Sequence, residues 1–216
     1  MSLYEVRREY SQRGLLEADA GTDPIALFRT WFDAVIAAQV PDPNAMALAT
    51  VDSHGRPSAR TVLLKSFDDD GFVFFSNYDS RKAHDLSRNP NAALLFFWVQ
   101  FERQVRIEGT VMRLTDAESD AYFRTRPRGS QIGAWTSPQS RVLADRAELE
   151  SLFARTLERF GDKPIPLPPF WGGFRLHPRC IEFWQGRPNR LHDRILFTRS
   201  ASSDSAAAWR RERLAP

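Results

Sequence analysis

The chain has 216 residues, 42% apolar and 26% charged, with 30 Lys and Arg against 27 Asp and Glu for a formal net charge of +3. This is the balance of a soluble globular protein with a full core, and the excess charge is too small to argue for nucleic-acid binding. One cysteine, Cys180, excludes an internal disulfide framework and a cysteine-based zinc site, and no apolar run approaches the ~18 residues that span a bilayer.

Residues 1–20 carry charge without a sustained apolar period and read as an N-terminal arm or lid. They hold no apolar leader segment, so a cytoplasmic protein is expected. Residues 21–216 read as one domain. Asp23 and Pro24 open a helix with the apolar stripe Leu27, Phe28, Trp31, Phe32 and Val35, and Pro41 and Pro43 close it. The period then shortens. MALATVD and SARTVLLKSF, on either side of SHGRP, predict two strands, and DDDG leads into a third, FVFFSN. Ser80 is the expected N-cap of a short helix that stops before Pro90.

AALLFFWVQF and RQVRIEGTVMRLT predict two long strands, the first apolar enough for burial on both faces. Thr115 and Glu118 make a capping box for a helix through about Arg124. Another helix is expected from Asp145 to Gly161, burying Leu149, Leu152, Phe153 and Leu157. KPIPLPPFWGG reads as a pinned loop. GFRLHP, CIEFWQ and RLHDRILFTR predict three last strands, before a Ser/Ala loop and the tail AWRRERLAP. Strands in meander order with inserted helices imply a mainly β, α+β protein built on an antiparallel β-barrel. No GxGxxG or GxxxxGKS/T motif supports a Rossmann or P-loop site.

Four clusters place anion-seeking groups among bland surroundings. In RTVLLK, Arg60 and Lys65 sit within an apolar strand and must pair or bind something. In SRKAH, Arg81 and Lys82 occupy a first helical turn, where cations oppose the helix dipole unless a phosphate is held there. In AYFRTRPRGS, Tyr122 and Arg126 are four apart, and Ser130 follows the helix break, which makes a second anion clamp. In EFWQGRPNRLHDR, strand alternation puts Arg190, His192 and Arg194 on one face beside the aromatic Trp184. The two arginines favour a neutral His192. No GxSxG, HExxH or paired apolar carboxylates occur, so the chemistry falls to a cofactor.

RTVLLK, SRKAH, ERQVRIEG, RPRGSQIGAW, QSR, PPFWGG, IEFWQGRPNRLHDR and ERLAP together resemble the pyridoxamine 5′-phosphate oxidase family, in its order over residues 7–216. The resemblance implies an FMN-binding split β-barrel, and a homodimer with FMN at its interface. It implies oxidation of pyridoxamine 5′-phosphate or pyridoxine 5′-phosphate to pyridoxal 5′-phosphate. Hydride would pass from substrate C4′ to flavin N5, with O2 reduced to H2O2.

Matched motif by motif, FMN would contact Arg60, Thr61, Val62, Leu63, Leu64, Lys65, Phe75, Ser76, Arg81, Lys82 and Gln104. Gln139, Ser140, Trp184 and Arg194 would complete that site, some from the partner subunit. Lys65, Tyr122, Arg126 and Ser130 would hold the substrate phosphate. Arg190, Leu191 and His192 would meet the rest of the substrate, Arg190 and His192 as the catalytic pair, with His192 assisting proton removal. Arg7, Arg8, Glu9 and Tyr10 match the lid. Phe75 stands where the family commonly has Tyr, and the loop over residues 200–208 is longer than usual.

Two rivals stay open at this level. Another split-barrel flavoprotein would keep the FMN groups without needing Tyr122, Arg126, Ser130 and Arg190 together. A non-catalytic binder of FMN or pyridoxal phosphate would keep both sets and turn nothing over.

Overall fold

The computed structural model describes residues 9–10, 14–200 and 209–216. Helix α1 (Glu17–Ala20) lies within the arm and precedes α2 (Pro24–Ala37). Asp23 caps α2 by accepting the Ile25 N–H at 2.8 Å, and Pro24 fills a position whose N–H has no partner in any helix. Its apolar stripe is buried as expected at Leu27, Phe28, Trp31 and Val35. Strands β1 (Ala45–Val51) and β2 (Pro57–Leu63) form a hairpin, followed by β3 (Ser66–Asp68) and β4 (Gly71–Asn77).

SARTVLLKSF is therefore two strands rather than one. The chain breaks where the Leu64 N–H turns to Asn44 O and the Lys65 N–H to Val73 O, both at 2.8 Å. Helix α3 (Arg81–Arg88) comes next. Ser80 stands at its N-cap but makes no capping bond, its Oγ donating instead to Asn77 O at 2.7 Å.

Strands β5 (Asn91–Trp98) and β6 (Arg103–Arg113) pair along the full length of β5. β5 alternates instead of burying both faces: Leu94, Phe96 and Trp98 point inward, while Phe97 is 50% exposed. The expected capping box opens α4 (Asp116–Thr125), with Thr115 and Glu118 exchanging both bonds. RGSQIGAWT forms a further helix, α5 (Arg128–Thr136), directly after the break at Pro127.

Asp145 caps α6 (Arg146–Phe160), but the anticipated buried stripe is not buried. Phe153 and Leu157 are 39% and 46% exposed, and only Phe160 at the end is enclosed. GFRLHP and CIEFWQ are one strand, β7 (Trp171–Gln185), with Arg179 bulged opposite Glu108 and Gly109. Gly109 is needed there, because a Cβ would stand 2.0 Å from His177 O. β8 (Asp193–Arg199) and β9 (Trp209–Leu214) finish the chain, so the tail is a strand and not merely an extension.

Among the described residues these nine strands make one sheet, in the order β2-β1-β5-β6-β7-β4-β3, with β8 on β7 and β9 on β8. Every pairing is antiparallel, and the sheet curls as a split barrel around a core centred on α2. A second, smaller core of Phe123, Ile132, Phe160, Ile165 and Trp171 ties α4, α5, α6 and the Pro-rich loop to the start of β7. The arm is docked: the Leu15 N–H donates to Asp193 Oδ2 at 3.0 Å, and Arg213 binds both Glu17 and Asp193. No helix among the described residues is long and apolar enough to cross a membrane.

Phe28 is the keystone of the larger core. It is fully buried and its ring meets Phe32, Phe67, Phe72, Phe96 and Trp98 at centroid distances of 4.8 to 6.1 Å. Phe28→Ala is expected to cost about 3–5 kcal/mol of unfolding free energy, read from denaturant titration. A loss below ~1 kcal/mol would show that the ring cluster repacks around the hole.

Candidate active site

A cavity of about 890 Å³ opens between β2, β4, the start of α3 and the α4–α5 corner. It gathers Arg60, Thr61, Val62, Leu63, Lys65, Phe75, Ser76, Arg81, Lys82, Tyr122, Arg126, Ser130, Gln139 and Ser140. Leu64 does not line it; its side chain is buried in the core. The sequence reading missed Ser58, Asn77, Thr125 and Trp171, which also line the wall. Trp171 had a legible signal, an aromatic beside Gly172 and Gly173. Those glycines admit the Tyr78 hydroxyl and the Leu114 side chain within distances that a Cβ would forbid.

One end of the cavity is a cluster of cations on neutral oxygens. Lys82 Nζ donates to Gln139 Oε1 at 2.9 Å, Ser76 Oγ at 3.0 Å and Ser80 Oγ at 3.3 Å. Burial, and then the neighbouring Arg60 charge, pull its pKa down to about 8. Arg60 is held by Leu48 O, Thr50 Oγ1 and Ser58 Oγ at 2.8 to 3.0 Å, and burial followed by the Arg81 charge disfavours its cation, opposed by Asp85. The Arg81 N–H, at the first turn of α3, donates to Ser140 Oγ at 3.2 Å. Three cations so close, with hydroxyls and an amide as their partners, suit a phosphate dianion.

The other end is formed by Lys65, Tyr122, Arg126 and Ser130. Arg126 does not continue the α4 face, as the spacing suggested. It is the C-cap, in extended backbone ahead of Pro127, and Gln131 Nε2 braces the break through Phe123 O and Arg126 O. Its guanidinium lies 4.5 Å from the Trp171 ring centre, and Nη1 is buried without a hydrogen-bond partner. Leaving a guanidinium nitrogen buried without an acceptor is costly, and the Arg126 side chain that bears it lines the cavity. Between the two ends runs an aromatic wall. Phe75 stacks on Tyr122 at 3.9 Å and on Trp171 at 5.4 Å.

The remaining residues form a second set at the far end of β7. Tyr10, Trp184 and His192 cluster at centroid distances of 4.7 to 5.6 Å, and Gln104 pairs with Trp184 across β6 and β7. Arg190, His192 and Arg194 do not share a strand face. Asn189 and Arg190 have φ of 57° and 61° in a 3-10 turn over Pro188–Arg190, and β8 begins only at Asp193. Arg194 Nε donates to buried Glu182 at 2.8 Å, and Leu191 is exposed.

His192 Nδ1 accepts the Arg187 N–H at 3.1 Å, so that nitrogen carries no proton and the neutral ring presents Nε2–H. Burial first, then Arg190, depress its pKa against the pull of Asp193. Arg7 and Arg8 lie outside the described residues, whereas Tyr10 packs in this set. None of the second set lines the cavity. Trp171 and Trp184 stand at opposite ends of a fifteen-residue strand, which would span roughly 40 Å if straight.

The curled antiparallel sheet, with its cation-rich cleft under the α4–α5 corner, is the architecture of the FMN-binding split barrels. The profile described as "Pyridoxamine 5'-phosphate oxidase" matches residues 32–159, and "Pyridoxine 5'-phosphate oxidase C-terminal dimerisation region" matches residues 171–216. The chain is 56% identical over 215 residues to proteins named pyridoxine/pyridoxamine 5'-phosphate oxidase from Burkholderia thailandensis and Burkholderia cenocepacia, covering 100% of this chain and 99% of theirs. Among solved structures, PhzG from Burkholderia lata, in complex with tetrahydrophenazine-1-carboxylic acid, superposes with a TM-score of 0.85. It is 32% identical, with coverage of 94% of this chain and 98% of that one. An FMN binding protein from Nostoc punctiforme shares the fold at a TM-score of 0.69 and 19% identity, covering 90% and 98%. The chain belongs to the pyridoxamine 5′-phosphate oxidase family.

FMN is the cofactor that goes with this family, and the cations parked on neutral oxygens fit its phosphate. Phosphate binding favours the charged form of Lys82, so affinity must fall as pH rises through about 8 in the ligand-free protein. Calorimetry of FMN binding in buffers of different ionisation heat is expected to show proton uptake at pH 8 to 9, lost in Lys82→Met. Equal uptake in the variant would move the titration to another group.

Proposed function

We propose that the protein oxidises pyridoxamine 5′-phosphate and pyridoxine 5′-phosphate to pyridoxal 5′-phosphate with FMN and O2. The observation that carries this reading is a cavity with two phosphate-seeking ends, the second formed by Lys65, Tyr122, Arg126 and Ser130. A flavin mononucleotide and a phosphorylated substrate together supply the two phosphates. Bound FMN would accept a hydride from substrate C4′ at N5 and pass the electrons to O2 as H2O2; the amine route also consumes water and releases ammonia.

The protein's part is placement. Arg60, Arg81 and Lys82, with Gln139 and Ser140, would grip the cofactor phosphate. Lys65, Tyr122, Arg126 and Ser130 would grip that of the substrate and keep its ring against the flavin. Trp184, Arg190, His192 and Arg194 do not line this chain's own cavity, so in this reading they come from a second copy. The C-terminal match to a dimerisation region, and the exposed Phe97 on β5, support a homodimer. With Nδ1 already accepting a bond, His192 would act as an Nε2–H donor that orients the C4′ oxygen or nitrogen, not as the proton acceptor first expected. Arg190 would add charge beside it.

Aerobic incubation with pyridoxine 5′-phosphate should yield pyridoxal 5′-phosphate and peroxide in equal amounts, and flavin binding without turnover would leave the non-catalytic binder. Arg126→Ala is expected to raise KM for the phosphorylated substrate roughly 10- to 100-fold, with little effect on the unphosphorylated alcohol. Equal effects on both would remove Arg126 from the clamp. Co-expressing an Arg126→Ala copy with an Arg190→Ala copy should restore about a quarter of wild-type activity, because mixed dimers keep one intact site. No recovery above either parent would place both sets in one subunit's site.

A further inference from the structure

Behind Arg60, where it lines the cavity, lie two buried polar residues. Thr50, fully buried on β1, donates its hydroxyl proton to Asp85 Oδ2 at 2.7 Å. A hydroxyl has a single proton, so the Thr50 oxygen is left with lone pairs, and one of them accepts Arg60 Nη1 at 2.8 Å. The relay therefore has one direction, from guanidinium to hydroxyl to carboxylate. Leu48 O and Ser58 Oγ take further Arg60 protons at 3.0 and 2.9 Å, while the direct Arg60–Asp85 approach is 3.8 Å. Asp85 is 6% exposed and sits on α3, the helix that also carries Arg81 and Lys82. The relay thus ties the β2 half of the cation cluster to its α3 half.

We propose that Asp85 and Thr50 are positioning residues for the cofactor phosphate, holding the Arg60 guanidinium against the β1–β2 hairpin so that its free edge faces the cavity before the ligand arrives. This rests on the FMN reading above. Asp85 has two opposed effects, and their balance is what an experiment can weigh. Its charge repels an incoming phosphate, so its removal would tighten binding if bulk electrostatics governed. Its bond orders Arg60 through Thr50, so its removal loosens binding if orientation governs. The short bonds and the burial of Thr50 and Asp85 point to orientation.

The test compares FMN with riboflavin, which lacks the phosphate, by quenching of flavin fluorescence on apoprotein. Thr50→Val, nearly isosteric in a buried position, is expected to raise the Kd for FMN about tenfold and to leave that for riboflavin unchanged. Thr50→Ser should restore wild-type affinity by returning the hydroxyl. Asp85→Asn should weaken FMN in the same sense, and in an Arg60→Ala background neither Thr50→Val nor Asp85→Asn should add to the loss. Should Asp85→Asn fail to fold, the Thr50 pair carries the comparison alone. Tighter FMN binding by Asp85→Asn, equal loss for both flavins, or full additivity with Arg60→Ala would overturn the proposal. Wild-type protein that binds neither flavin would instead overturn the FMN reading itself.

Discussion

The main-chain pairing of β7 is the constraint on which the rest of the structure depends. Its first residues pair with β4, its last six with β8, and Phe174 to Gln185 with β6. A strand of fifteen residues cannot serve three partners as a flat ribbon, and the Arg179 bulge opposite Gly109 lets it bend where one partner gives way to the next. The sheet closes around α2 as a result. The same length also divides the functional groups, because Trp171 belongs to the cavity while Trp184 stands at the opposite end with Tyr10 and His192. Two separated clusters on one chain follow from the length of that strand.

Electrostatics explains why the cavity is shaped by cations that the fold itself does not neutralise. Lys82 rests on three neutral oxygens, Arg126 keeps an unpartnered buried nitrogen, and the buried carboxylate near Arg60 reaches it mainly through Thr50. A fold selected for stability alone would have paired these groups more closely, since burying an uncompensated charge is unfavourable. The far end of β7 is handled differently. There Glu182 is held by Arg106 and Arg194 at 2.6 and 2.8 Å, a closed ion-pair network inside the sheet. The contrast separates a region prepared for an anionic ligand from one whose charges are largely satisfied within the chain.

Local signals were legible wherever one short-range preference decided the outcome. Asp23 with Pro24 and Thr115 with Glu118 announced their helices, and the stripe from Leu27 to Val35 announced which face is buried. Arg60 and Lys65 were legible too, because an arginine or lysine set among apolar strand residues must either pair or bind an anion, whereas Phe75, Ser76, Gln139 and Ser140 came only through the family resemblance. The failures came where longer-range packing overrode the local pattern. Leu149, Phe153 and Leu157 have perfect helical spacing, yet α6 leaves much of that face open. GSQIG looks flexible, yet it coils into α5 once Gln131 ties the chain back to Phe123 and Arg126.

By itself, then, the sequence determined the mainly β class, the helix caps and the identity of the anion-seeking side chains, since each depends on residue type and near neighbours. Only the tertiary structure decided which of those side chains meet. RLHDR reads as the start of a strand with three basic groups on one face, but left-handed Asn189 and Arg190 turn the chain and delay β8 until Asp193. Arg194 is drawn to Glu182, His192 to the Arg187 N–H and Tyr10, and Arg126 to a cavity at the opposite end of β7. These choices belong to strand register and the bend of β7, which bring together residues far apart in the chain and which no local pattern encodes.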